Sequence, residues 1–149
     1  MRGTVLCWTD DSAQGRAALV VAAELSDRLD LRLVLAHVAV GAGVPAEHDS
    51  GESAAERRIR EGAARLVGRL AAEHGVSGRA EHRSAVGDPA VLMSQIAAEE
   101  AADLIVIGAP MRGLRRCSER RLAEQLEVAT AVPVLIAPSR GRGGSLATG

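Results

Sequence analysis

The stretch GAPMRGLRRCSERR, residues 108–121, follows directly on the apolar run DLIVIG and contains two glycines and five arginines. A strand that ends in glycine and leads into a helix is a common phosphate site in α/β proteins, because free backbone N–H groups and the helix dipole favour an anion. Arginine side chains can also bind phosphate, through paired hydrogen bonds from one guanidinium group. These residue types therefore indicate an anion site, made of backbone amides or of arginine side chains.

The same arginines allow a second interpretation, a charged surface exposed to water or to a protein partner. Runs of like charge usually form solvated faces, and one acidic residue, Glu119, accompanies this one. Arginine near a helix start opposes the helix dipole, but only by about a few tenths of a kcal/mol. Both interpretations stay open from the sequence. The arginines are Arg112, Arg115, Arg116, Arg120 and Arg121.

Other reactive side chains give weaker signals. Cys117 lies among these arginines at a predicted helix start, a setting that favours the thiolate and is typical of redox-sensitive cysteines. Cys7 lies in an apolar run and is expected in the core. The four histidines do not share a helix face at metal-ligand spacing, and no serine or cysteine has a visible partner base. The sequence therefore predicts neither a metal site nor an enzyme.

Five apolar segments must position these residues. Four are continuous Val, Leu and Ile runs, typical of strands covered on both faces, and the third is polar and alternating, typical of an edge strand. Helical periodicity fills the gaps over about residues 12–29, 54–74, 89–101 and 118–130. This alternation predicts an α/β fold, a doubly wound five-stranded parallel sheet with helices on both faces. The strand segments are 4–8, 32–40, 80–86, 103–108 and 133–137.

Local signals mark the helix ends. The residues DDS precede the first helix, and Asp88 with Pro89 is typical of the cap and first turn of the third. Gly75 is expected to end the second helix. In this architecture, ligands bind beyond the carboxyl ends of the strands, where the winding direction reverses.

Composition limits the functional classes. The chain has 149 residues, enough for one domain, and a formal charge of −1, which gives no overall field to attract nucleic acid or an anionic membrane. One Trp, with no Tyr or Phe, leaves no aromatic platform for stacked bases. We expect a cytoplasmic protein with one domain over 1–138, a mobile loop over 41–53 and a flexible tail over 139–149.

Three segments, in this order, resemble the universal stress protein family. VLCWTDDSAQGRAAL is similar to the family's first strand and loop, VGDPAVLMSQIAAEEAADLIVIG to its third helix and fourth strand, and AVPVLIAP to its closing strand. The resemblance covers roughly residues 3–138. It implies a Rossmann-like fold of the adenine nucleotide alpha-hydrolase type and a role as a stress-response or regulatory module.

The resemblance also implies two kinds of member, of which one binds ATP through a glycine motif. That motif has a glycine after the fourth strand, a second glycine three positions on, nine further residues, and then Gly-Ser or Gly-Thr. In this chain the first glycine is Gly108, but the second position is Met111. The closing pair falls on Arg121 and Leu122, or on Arg120 and Arg121 with a shorter loop. We therefore expect the usual phosphate chemistry to be lost, because a side chain keeps the amides away from phosphate oxygens.

The nucleoside part of the resemblance is better kept. Asp10 matches a family position that contacts the nucleoside, and its carboxylate can accept hydrogen bonds from a ribose. Its other interpretation is a cap for the first helix. Val38 matches a position whose backbone contacts adenine, and its other interpretation is strand core.

The leading hypothesis is a stress-response module that does not bind ATP in the usual family manner and needs no cofactor. The alternative is a sensor of an adenine nucleotide, ATP among them, or of another anion, which keeps Asp10, Val38 and Gly108 and holds phosphate with Arg112, Arg115 or Arg121. A weak ATPase is a third reading that lacks a general base and a metal ligand. The resemblance implies a homodimer through the last strand, at Val132, Val134, Leu135 and Ile136.

Overall fold

The computed structural model describes residues 2–40, 53–109 and 116–138, and for residues 116–121 it describes the backbone alone. Strands and helices alternate along the chain. The strands are β1 (Thr4–Trp8), β2 (Arg32–Ala39), β3 (Ala80–Val86), β4 (Leu104–Gly108) and β5 (Val134–Ala137). The helices are α1 (Ala13–Leu29), α2 (Ala54–Glu73), α3 (Pro89–Glu99) and α4 (Arg116–Ala129).

The five strands form one parallel sheet in the order β3-β2-β1-β4-β5. This confirms the predicted doubly wound α/β fold, and it confirms that the polar third strand lies at an edge. Because the chain winds one way from β1 to β3 and the other way through β4 and β5, the direction reverses between β1 and β4.

Two apolar layers hold the helices on the sheet. On one face, Leu6 and Ile105 pack with Met93 of α3 and Leu126 of α4. On the other face, Cys7 packs with residues of α1 and α2. Successive side chains of a strand point to opposite faces, so the continuous apolar runs supply both layers at once.

Local signals set most helix ends. Ser12 caps α1, accepting from the Gly15 N–H, and Asp88 caps α3, accepting from the Val91 N–H. Gly75, just past α2, has φ of 70°, the left-handed conformation that favours glycine. The predicted third helix was two residues too long: α3 ends at Glu99 because Ala101 takes a left-handed φ of 52°.

A partly buried ion network ties the β2–β3 edge to the end of α3. Glu100, 15% exposed, accepts from Arg32 at 2.9 Å and from Arg83 at 2.6 Å. Arg32 also contacts Glu81, and Arg83 contacts Glu99. Burial alone would raise the pKa of Glu100, but the hydrogen bonds from Arg83 and Arg32 outweigh it and lower that pKa.

Several predicted features lie outside the described residues. They are the loop over 41–53 except for its last residue, and the tail over 139–149. None of the described helices is long and apolar enough to cross a membrane.

Candidate functional site

A small cavity lies where the winding direction reverses, at the carboxyl edge of β1 and β4. Its volume is about 60 Å³. The ends of β1 and β4, the start of α1 and one residue of α4 form its wall. The lining residues are Trp8, Asp10, Ser12, Gln14, Gly15, Ile107, Gly108, Ala109 and Leu122.

Asp10 supports the start of α1 through Ser12. Its Oδ1 atom accepts a hydrogen bond from the Ser12 backbone N–H at 2.8 Å and another from the Ser12 hydroxyl. The Ser12 oxygen in turn accepts from the Gly15 N–H at 3.0 Å. The prediction that Asp10 itself caps the helix is therefore wrong in detail, since Ser12 is the cap and Asp10 orients it.

Thr9 fixes the end of β1 through its backbone and its side chain. It is fully buried; its N–H donates to the Ala36 carbonyl at 2.9 Å and its hydroxyl to the Gly15 carbonyl at 2.9 Å. His37 Nδ1 lies 3.0 Å from the Thr9 carbonyl oxygen and donates to it, because a carbonyl can only accept. The cavity wall therefore rests on a well-bonded backbone.

Two glycines let the start of α1 approach the sheet edge. A Cβ on Gly108 would lie 2.5 Å from the Gln14 carbonyl oxygen. A Cβ on Gly15 would lie 2.1 Å from Asp10 Oδ1 and 2.5 Å from the Asp10 backbone nitrogen. Real Cβ atoms do not come this close to backbone atoms, so both positions require glycine for packing.

Trp8 is the largest side chain in the cavity wall. It is partly buried and packs against the apolar layer under α3 and α4. Its Nε1 atom is buried and has no hydrogen-bond partner among the described residues. A buried donor without an acceptor is uncommon in proteins and marks this position as unusual.

The charges near the start of α1 pair with one another. Arg16 contacts Asp11 at 2.6 Å and Glu73 at 2.5 Å, on the outer side of α1. Behind the cavity, burial and then the nearby Asp10 charge raise the pKa of the Cys7 thiol. Cys7 is thus an inert core residue, as expected from the sequence. No cluster of three or more potential metal-binding side chains occurs among the described residues.

The structure brings together two of the five predicted site residues, Asp10 and Gly108. Val38 does not line the cavity; its side chain is 2% exposed and lies in the core under α3 and α4. Arg112 and the side chain of Arg121 lie outside the described residues. The other interpretation, that Val38 is a core residue of its strand, is correct for its side chain.

Sequence reasoning missed Trp8 and Gln14. Trp8 is the single aromatic residue of the chain and ends the first strand two positions before Asp10. Those two facts could have placed it at the site. Gln14 contributes its backbone, for which the sequence carries no signal.

Comparison with known proteins gives the same fold. A universal stress protein in complex with cAMP is 21% identical, with a TM-score of 0.64, over 93% of this chain and 98% of that one. A universal stress protein family member from Burkholderia pseudomallei is 25% identical, with a TM-score of 0.65, over 89% and 94%. The hypothetical protein MJ0577 is 20% identical, with a TM-score of 0.73, over 95% and 99%.

A search of the curated proteins found no match. The model of the universal stress protein family matches residues 1–138. That match takes in all nine described elements and the cavity at the carboxyl edge of β1 and β4. The chain belongs to the universal stress protein family.

Proposed function

We propose that this chain is a regulatory module of the stress response whose crevice does not bind ATP through a glycine phosphate loop. The contact between Gly108 and Gln14 carries the proposal. The side of Gly108 where a Cβ would stand is occupied by the Gln14 carbonyl, because a Cβ there would lie only 2.5 Å from that oxygen. A phosphate oxygen would meet a carbonyl oxygen there, and two acceptors repel each other.

The size of the cavity supports the same proposal. The crevice between the described residues measures about 60 Å³ and is open on one side, whereas pockets for ligands of drug size commonly measure about 300–1,000 Å³. Asp10 adds a negative charge at the rim, and one of its oxygens already accepts two hydrogen bonds from Ser12. A polyphosphate is therefore disfavoured beside these residues by space and by charge.

A second candidate function is a sensor of an adenine nucleotide or another anion. The solved relative with cAMP favours it, since that protein has the same fold and carries an adenine nucleotide. In this chain, Asp10 would contact the ribose while Arg112 or Arg121 would hold phosphate with guanidinium groups. None of the described lining residues suggests a catalytic role, and we propose that the module is not an enzyme.

We also propose that the module is a cytoplasmic homodimer that pairs through β5. This strand is the outermost of the described strands on its side of the sheet. Leu135 and Ile136 on it are 38% and 42% exposed. The other two predicted interface residues, Val132 and Val134, pack against the core and would contribute less. A second copy would cover apolar side chains and unpaired backbone groups that an edge otherwise exposes.

Titration calorimetry with ATP, AMP and cAMP, with and without magnesium, separates the two candidate functions. The regulatory module predicts no binding heat up to about millimolar ligand, which corresponds to less than about 4 kcal/mol of binding free energy. Saturable binding would overturn it and support the sensor. In that case Arg121→Ala should abolish binding, whereas Arg28→Ala, an exposed position at the end of α1, should leave it unchanged.

A further inference from the structure

We propose that Trp8 determines which ligands the crevice excludes, because its indole ring takes up the space that the flat ring of a nucleoside would need. The inference rests on the proposed function, since it gives a reason why the crevice of this chain stays closed to nucleotides. In this inference one side chain, Trp8, excludes nucleosides from the crevice, and this effect is separate from the changes in the phosphate loop.

The position of Trp8 supports this role. Trp8 is the last residue of β1, and its register partner in β2 is Ala36. It lies on the same face of the sheet as Leu6 and packs against the apolar layer under α3 and α4. The ring therefore stands at the reversal of winding direction, where doubly wound sheets bind their ligands.

The surroundings of the ring suit a flat apolar group. Ile107 and Leu122 line the same cavity from β4 and α4, and Asp10 and Ser12 form its polar side. Indole and purine are both planar, fused five- and six-membered rings. Removing the indole would consequently leave a space close in size and shape to a purine.

The indole N–H indicates that the ring is present for its volume. The Nε1 atom is buried and has no acceptor among the described residues. A buried donor without an acceptor is destabilising. Hydrogen bonding to the part of the chain that the structure describes therefore does not explain a tryptophan here, whereas filling the crevice does.

The test is to remove the ring and ask whether the crevice accepts a replacement. Truncating a large core side chain leaves a cavity, because the surroundings collapse only in part, and such cavities can bind small aromatic molecules. In Trp8→Ala, millimolar indole and millimolar adenosine should each raise the melting temperature by about 2–4 °C. The wild type should show no such rise.

Matched variants control for general effects. Trp8→Phe keeps an aromatic ring and loses the N–H, so it should resemble the wild type and gain no adenosine binding. Leu70→Ala opens a hole in the other apolar layer, under α1 and α2, and should gain none either. If Trp8→Ala is too unstable to study, Trp8→Leu removes the flat ring while keeping part of the apolar volume. A folded Trp8→Ala or Trp8→Leu that gains neither indole nor adenosine binding would overturn the inference.

A second measurement needs no variant. Trp8 is the only tryptophan, and the chain has no tyrosine, so intrinsic fluorescence reports on this crevice alone. We expect adenosine to leave wild-type emission unchanged, and saturable quenching would overturn the inference. Failure of the proposed function looks different, as it appears as ATP binding heat in the wild type. If only the inference about Trp8 is wrong, the variants fold but gain no indole or adenosine binding, and the wild type still binds no ATP.

Discussion

Gly108 and Gln14 are in backbone contact across the sheet edge: a Cβ on Gly108 would lie 2.5 Å from the Gln14 carbonyl oxygen and 2.7 Å from its carbonyl carbon. The contact joins the end of β4 to the first turn of α1. It gives the glycine at the end of the fourth strand a packing role that does not depend on any ligand. As a consequence, the start of α1 packs closely over the sheet edge at which doubly wound folds bind their ligands.

Gly108→Ala should therefore destabilise the protein even without ligand. The added methyl group must displace backbone, and overpacking of this kind costs about 1–3 kcal/mol. Urea unfolding measures the loss. Gly68→Ala is the matched control: it lies inside α2, where a Cβ meets nothing within 4 Å. It should stabilise the protein by about 0.5–1 kcal/mol, because alanine is the better helix former. Equal effects of the two substitutions would contradict the packing role.

Asp10 and Ser12 should act as one unit in stability. Ser12→Ala removes the α1 cap and should cost about 1 kcal/mol, and Asp10→Ala should cost a similar amount because Asp10 orients the capping hydroxyl. The double variant should then lose clearly less than the sum of the two single losses.

Ser53 provides the control for this cycle. It caps α2 through its own capping box with Glu56 and has no part in the crevice. Ser53→Ala should cost about 1 kcal/mol and add fully to Asp10→Ala. If the stability losses of Asp10→Ala and Ser12→Ala, measured by urea unfolding, add fully in the double variant, the two residues are not coupled. Asp10 would then be available for a ligand role.

Glu100 should make stability depend on pH in the acid range. Its folded pKa lies below the ordinary value of 4.5, so its contribution is complete above about pH 4.5 and is lost as the pH falls through the folded pKa. Glu100→Gln should be about 1–3 kcal/mol less stable than the wild type at pH 7, because charge-assisted hydrogen bonds to Arg32 and Arg83 are lost.

The difference between wild type and Glu100→Gln should narrow as the pH is lowered below 4.5, when the wild-type carboxylate becomes protonated. Thermal unfolding of both proteins at several pH values from 7 to 3 measures this difference in stability. Glu24→Gln, an exposed position on α1, should change the stability at pH 7 by less than about 0.5 kcal/mol. A stability gap for Glu100→Gln that stays constant down to pH 3 would argue against the network.

The β5 edge should hold the dimer together. Leu135→Glu and Ile136→Glu each place a charge in the proposed interface, and in a two-fold dimer each substitution occurs twice. We expect the dimer dissociation constant to rise by about 100-fold, which corresponds to about 3 kcal/mol. Light scattering at micromolar concentration measures it. Val91→Glu, on α3 and 52% exposed, should remain dimeric. A monomeric wild type would end the proposal.

The predicted elements agree closely with the structure where local signals are strong. β1 and β3 have the predicted bounds, and α1 and α3 begin at their predicted caps. Agreement is weaker where a signal is missing. Nothing marks Ala101 as left-handed, so the end of α3 was placed too late. The start of α4 was placed at 118 instead of Arg116, since the sequence has Arg115 before it, which is not a residue type that favours a cap.

The candidate site was predictable only in part. Asp10 and Gly108 follow apolar runs that had to be neighbouring strands, so their meeting at one edge follows from the topology. Val38 was assigned through the family resemblance, and its side chain lies in the core. Trp8 was taken as a strand residue, because a strand pattern does not say which end residue turns into a crevice.

The sequence by itself determined the order of strands and helices, the parallel sheet and the family, because apolar periodicity, caps and the spacing of motifs are properties of neighbouring residues. Only the tertiary structure decided what stands in the crevice. The approach of Gly108 to Gln14 and the position of Trp8 and Leu122 of α4 in one cavity wall join residues that are about a hundred positions apart. Such contacts depend on how the helices pack on the sheet. In an interior packed this densely, a given volume is occupied by only one side chain.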